Sequence, residues 1–260
     1  MGRTIVVTSG KGGVGKSTIT ATLGVAMAEA GARVALVDAD VGLNNLDLVL
    51  GIEAMVCYDV TDVEKGRCRL AEALVNHPFC ESLFLLSSRA LSGGNVSLKS
   101  FSEIVSALKR SFDFVLIDCP AGIDDGFHRA VACSDEALIV TTPIPAAVRD
   151  ADRVSDILCS YRLGSVGVIV NRVRGDLVLK GEVMSVADVG SVLRLPVVGS
   201  VPEDDEVLLS ATVGRISDSK SRHYAAVCMV ASHLMLGTTE LYDCTARYRG
   251  IGGFFRKFAR

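Results

Sequence analysis

The chain has 260 residues, 49% of them hydrophobic, with a formal net charge of −3 and a mean hydropathy of +0.39. A chain this apolar buries enough surface to offset the entropy of ordering it, which excludes disorder, and its length suits one large domain or at most two. A net charge so near zero offers no general attraction to nucleic acid, so no specific nucleic-acid partner is expected.

Short apolar runs alternate with segments of helical periodicity. Strands are predicted at Ile5–Thr8, Arg33–Val37, Leu83–Leu86, Phe114–Ile117, Ala137–Thr141, Val166–Val170 and Val197–Val201. Several are continuous Val, Ile and Leu, which is what a parallel strand covered on both faces requires. The first long helix is predicted over Ser17–Ala30, with Ile19, Leu23, Ala26, Met27 and Ala30 on one face and Gly31 as its stop. A last helix is predicted over Ala225–Leu236. Repeated strand–loop–helix units with right-handed crossovers give an α/β fold: a doubly wound, mostly parallel sheet that binds ligands at the carboxyl ends of its strands.

Directly after the first strand comes Gly10-Lys11-Gly12-Gly13-Val14-Gly15-Lys16-Ser17, followed by Thr18 and the first helix. This satisfies the P-loop pattern in its required context. Glycines let backbone N–H groups turn inward around a triphosphate, and the helix N-terminus adds a favourable dipole. Lys16 is expected to neutralise the β and γ oxygens of ATP, and the Ser17 hydroxyl to ligate Mg2+. The second predicted strand ends in Asp38-Ala39-Asp40, and the run Phe114–Ile117 stops at Asp118. Both place acids on the carboxyl edge, and Asp118 has the form of a Walker B carboxylate that holds Mg2+ through water.

The eight cysteines show no Cys-x-x-Cys pair and no His at metal spacing. Buried thiols in a reducing compartment are expected. The N-terminus lacks the pattern of a secretory signal, and no stretch reaches 18 uninterrupted apolar residues. Neither secretion nor a membrane span is therefore expected.

Charge is unevenly placed. Residues 247–260 hold five cations and no acid, leaving 22 cations against 30 acids in the rest of the chain. Within this tail Ile251, Phe254, Phe255 and Phe258 fall at i, i+3, i+4 and i+7, with Arg256 and Lys257 largely beside or opposite them. That is the form of an interfacial helix that inserts apolar side chains and pairs cations with anionic membrane lipid. A single anchor so short should bind marginally, whereas two on a dimer gain avidity. The expected organisation is an ATPase domain over 1–236, a linker over 237–249 and an amphipathic membrane-targeting helix over 250–260.

The P-loop carries a second lysine, Lys11, and here the sequence resembles the deviant Walker A ATPases, whose signature X-K-G-G-X-X-K-[ST] is matched by Gly10–Ser17. The resemblance implies an ATP hydrolase that dimerises on ATP, with Lys11 reaching the partner's nucleotide. It also implies that Asp40 orients the attacking water, Asp38 supports the metal, Asn171 reads the adenine edge, and Pro202-Glu203-Asp204 packs beside the base. Within that family the segments Gly42-Leu43-Asn44-Asn45-Leu46-Asp47-Leu48 and Val148-Arg149-Asp150-Ala151-Asp152-Arg153, with the basic tail, look like the MinD-type branch that selects the bacterial septum site. That branch implies a MinC-type inhibitor and a MinE-type stimulator or other topological factor as partners, with Arg149, Asp150 and Asp152 facing them. It also implies peripheral attachment to the inner face of the cell membrane and slow hydrolysis stimulated by partner and membrane. A ParA-type partition ATPase, a flagellar-number ATPase of the FlhG type and a nucleotide-gated scaffold with negligible turnover remain alternatives.

Overall fold

The computed structural model describes residues 2–40, 45–88, 96–207 and 221–249. Eight strands form one sheet in the order β3-β4-β2-β5-β1-β6-β7-β8. They are β1 (Arg3–Thr8), β2 (Val34–Asp38), β3 (Leu74–His77), β4 (Cys80–Leu86), β5 (Phe114–Asp118), β6 (Glu136–Thr141), β7 (Ser165–Val173) and β8 (Val197–Pro202). The helices are α1 (Lys16–Glu29), α2 (Leu46–Leu50), α3 (Val60–Glu64), α4 (Leu70–Ala73), α5 (Leu98–Ser111), α6 (Asp125–Ala132), α7 (Pro145–Leu158), α8 (Gly175–Lys180), α9 (Val186–Leu193) and α10 (Arg222–Leu236).

All neighbouring strands pair in parallel except β3 with β4. The doubly wound sheet is therefore as expected, with one strand more than the apolar runs indicate. β3 reads Leu-Val-Asn-His, with Val75 and His77 buried and Asn76 exposed. An edge strand closed by a tight turn needs only one covered face, so it carries no continuous apolar signature.

Successive residues of the inner strands feed two cores. Ile5, Val7, Val34, Leu36, Phe114 and Leu116 point to the layer of α1 and α10, and Val6, Ala35, Val37, Val115 and Ile117 to the layer of α5, α6, α7 and α9. Because α10 and α2 cover α1 from outside, its buried surface runs nearly all the way round, and only its last residue, Glu29, with Ala30 behind it, is exposed. Gly31, at φ +96°, follows it in the left-handed region as a helix stop requires. The last helix begins three residues before its expected start because Ser221 caps it, accepting from the Tyr224 amide at 3.0 Å.

Residues 237–249 run back over the body. The Cys244 thiol is buried against the Ser200 hydroxyl at 3.1 Å, and Gly175 approaches this segment so closely that a β-carbon there would stand 2.0 Å from the Cys244 carbonyl oxygen. Tyr242 packs against both cores, and Arg249 closes onto Asp243 at 3.2 Å. The apolar and basic tail residues Ile251, Phe254, Phe255, Arg256, Lys257 and Phe258 lie outside the described residues.

Candidate functional site: a phosphate loop at the carboxyl edge

The loop between β1 and α1 turns on Gly13 (φ +81°) and Gly15 (φ +91°), both in the region closed to most side chains. Gly15 caps α1 without a side-chain bond, which leaves the first amides of the helix directed at the loop's interior. Gly10 serves a different need: a β-carbon there would stand 2.2 Å from the Asp150 carbonyl oxygen, so the P-loop lies directly on the backbone of α7. On that helix Arg149 and Asp152 are exposed and Asp150 is half-buried beside Arg153, at 3.9 Å.

Lys16 is 9% exposed, and its Nζ meets Asp118 Oδ1 at 2.7 Å. Ser17 Oγ donates to Asp118 Oδ2 at 2.6 Å, and Thr20 Oγ1 lies 2.9 Å from Asp118 Oδ1. The phosphate lysine, the hydroxyl and the acid expected at the end of β5 are thus in mutual contact. Thr20 is a member that no motif announced; its only signal is a hydroxyl one helical turn beyond Lys16. The donor set, one hydroxyl and one carboxylate beside a triphosphate cradle, suits Mg2+, which keeps several waters and takes few protein ligands. Among the described residues no group of three or more His, Cys, Asp or Glu is placed to hold a metal ion.

The two other acids sit differently. Asp38 turns its oxygens to the amides of Asp40 (2.9 Å), Asn45 (3.2 Å) and Leu46 (3.4 Å), fixing the entry to α2. Burial, reinforced by the Asp118 charge, pushes its carboxyl up to about 7. Asp40 is half-buried, its carboxyl also raised by burial, and it lines a cavity of about 440 Å³ with Pro120, Asp124 and Arg129. Cys119, next to Asp118, is pushed up to about 12 by burial, which makes it a packing thiol rather than a nucleophile. Cys57 and Cys159, by contrast, are exposed.

Lys11 is exposed on the outer lip of the loop and, with Gly12, Ile144 and Arg172, borders a cavity of about 320 Å³. Beside Gly15 a third cavity, of about 340 Å³, is lined by Thr18, Asn171, Arg172, Pro202, Glu203 and Asp204, among others. The expected base-side residues therefore converge. Their side chains are already partly engaged: Asn171 Nδ2 donates to the Val14 carbonyl at 2.9 Å, and Asp204 accepts from the amides of Arg222 (3.1 Å) and His223 (3.4 Å), capping α10. Glu203 meets Arg174 at 3.6 Å.

Residues 5–215 match the model of the CobQ/CobB/MinD/ParA nucleotide binding domain. The chain belongs to the MinD septum site-determining family. A MinD relative in Chlorella vulgaris is 49% identical over 254 residues, covering 96% of this chain and 90% of that protein. The MinC:MinD cell division protein complex of Aquifex aeolicus contains a chain 38% identical that superposes with a TM-score of 0.86 over 92% of this chain and 98% of that one. The septum site-determining protein MinD of Pyrococcus horikoshii, complexed with Mg-ADP, is 30% identical, with a TM-score of 0.82 over 91% and 97%. Membership makes this a P-loop ATPase fold of the MinD and ParA type.

Proposed function

We propose that this chain is an ATP-driven membrane switch that selects the septum site. The observation that carries the reading is the contact of Lys16, Ser17 and Asp118 beneath a two-lysine P-loop, with Lys11 free on the outer lip. Lys16 and the α1 amides hold the phosphates of ATP, Ser17 and Asp118 hold Mg2+, with Asp38 in support, and the metal neutralises charge that develops on the transferred phosphate. Asp40 orients the attacking water from its half-buried cavity. Asn171 and the loop Pro202–Asp204 bound the base.

Lys11 lies on the lip of the loop, where it can reach the nucleotide of a second copy. ATP thus closes a homodimer, and the residues at 251, 254, 255, 256, 257 and 258 of both chains bind anionic lipid on the inner face of the cell membrane. Arg149, Asp150 and Asp152 present the surface for a MinC-type inhibitor and for a MinE-type or other topological factor. The solved MinC:MinD complex of the Aquifex aeolicus relative supports the first of these partners. Hydrolysis, slow until partner and membrane stimulate it, releases the dimer.

The test is co-sedimentation with anionic vesicles. The full chain is expected in the pellet with ATP and in the supernatant with ADP, and removal of residues 250–260 is expected to abolish pelleting while sparing ATP binding. Equal pelleting in both nucleotides overturns the coupling. Pelleting of the truncated chain overturns the anchor.

A further inference from the structure

Among the described residues two that are not glycine hold a positive φ, Arg194 at +53° and Arg172 at +54°. Arg194 closes α9, where a left-handed residue is an ordinary helix stop. Arg172 ends no helix. It lies inside β7 between the buried Asn171 and Val173, and a long side chain in that conformation carries a cost the surrounding fold has to overcome. The cause is a bulge: β7 pairs Val170 with Ser200 and then Val173 with Pro202, so three steps on β7 answer two on β8, and the extra residue re-aims the side chain at position 172.

The new direction is toward the P-loop. Arg172 Nε would stand 4.0 Å from a β-carbon on Gly15, the residue that caps α1, and the exposed arginine lines both the cavity beside Lys11 and the cavity beside Gly15 and Thr18. It is the wall between them, on the route from the phosphate loop to the base. A cation held at the N-terminal end of α1, beside a loop that already carries Lys11 and Lys16, meets an unfavourable helix dipole and like charges. Among the described residues Arg172 makes no ion pair or hydrogen bond that would offset this. Glu203, which lines the same two cavities, closes on Arg174 at 3.6 Å, and Asp204 is taken by the first amides of α10 and by Arg222 at 3.4 Å. A phosphate bound at the loop supplies the missing anion.

We propose that Arg172 is a binding residue of the nucleotide site: its guanidinium pairs with the phosphate nearest the ribose, the one common to ATP and ADP. Its forked donors suit two oxygens of one phosphate, and its place at Gly15, rather than at Ser17 and Asp118 where the metal end lies, selects that phosphate over the terminal one. This rests on the reading of the loop and the cavity beside Gly15 as an ATP site.

The experiment pairs two readouts on the full chain: calorimetric titration with Mg-ATP and with Mg-ADP, and urea unfolding without nucleotide. Arg172→Gly removes the cation and the steric cost of the left-handed backbone together. It is expected to weaken ATP and ADP by the same factor, at least about 10-fold, while the unfolding midpoint stays at or above that of wild type. An arginine that only braced the fold would lower the midpoint as well. Arg172→Asn, which also tolerates a left-handed φ, is expected to repeat the loss of affinity, and Arg172→Lys, which keeps a cation without the fork, to lose about 3-fold. Unchanged affinity in Arg172→Gly and Arg172→Asn overturns the assignment, as does a loss confined to ATP, which belongs to a contact with the terminal phosphate. A lowered midpoint in both variants overturns it in favour of a bracing role. Failure of wild type to bind either nucleotide overturns instead the ATP-site reading beneath it.

Discussion

The two ends of the candidate nucleotide site are built on opposite principles. At the phosphate end the polar side chains converge on one acid: Lys16, Ser17 and Thr20 all reach Asp118 within 3 Å, from three positions in a single helical turn and one at the end of β5. At the base end the polar groups serve the scaffold first, Asn171 bracing the P-loop and Asp204 capping α10, and one buried imidazole nitrogen, on His223, is left over. Phosphate recognition is electrostatic and needs a pre-paired cradle, whereas base recognition needs shape and one or two well-placed acceptors or donors. The two ends meet at Gly15, whose neighbours on either side are α1 and the Asn171 amide.

The sharpest way to break the contrast is Lys16→Ala, which leaves Asp118 buried without its cation and the phosphates without theirs. ATP binding is expected to fall by at least about 100-fold in equilibrium titration. Gly15→Ala strikes both ends at once, because the new β-carbon would stand 2.4 Å from Asn171 Nδ2 at a φ of +91°. A loss of roughly 2–4 kcal/mol in urea unfolding is expected, with nucleotide binding lost as well. If its stability matches wild type, the two ends are not braced on each other.

The base end should respond to pH through His223. His223 is held well below its unfolded value, so the unfolded chain takes up a proton below about 6.5 that the folded chain refuses until about 4. Its contribution to stability is full above that window and falls as pH drops through it. Because Asp38, raised to about 7, works in the opposite direction, the comparison is with His223→Gln. The difference between the two chains is expected to shrink by about 2 kcal/mol from pH 7 to pH 5 in urea melts. The smallest effect is expected from Asn171→Ala, about 1–2 kcal/mol, since it removes one buried bond to Val14 and leaves the Asp118 cluster intact. Its ATP affinity is expected to fall less than that of Lys16→Ala.

This difference between the ends also governs what could be read before the fold was known. The phosphate loop is contiguous, its glycines and lysines fixed by local backbone needs, and Asp118 is betrayed by the apolar strand that delivers it. Thr20 was invisible because a hydroxyl inside a helix has many ordinary reasons to be there. His223 was invisible because its neighbours in space come from α1, β7 and β8, with no spacing in the chain to mark them. Asp38 and Asp204 were legible as acids near the edge, yet their use as acceptors for loop and helix amides is a property of the folded backbone. The same holds for β3, whose pairing with β4 requires no apolar run, and for residues 237–249, whose docking depends on Gly175 offering no side chain.

That docking changes the arithmetic of tethering. Thirteen residues of free chain would wander by roughly 20 Å from their origin. Pinned by Cys244 on Ser200 and by the close approach at Gly175, with Tyr248 near Arg174, they instead end beside the loop that follows β7. In the dimer proposed above, the separation between two membrane tethers is then set by the rigid body rather than by polymer statistics. The effective concentration of the second tether is a property of the fold, and a variant that frees the segment would lower it without touching a single lipid contact.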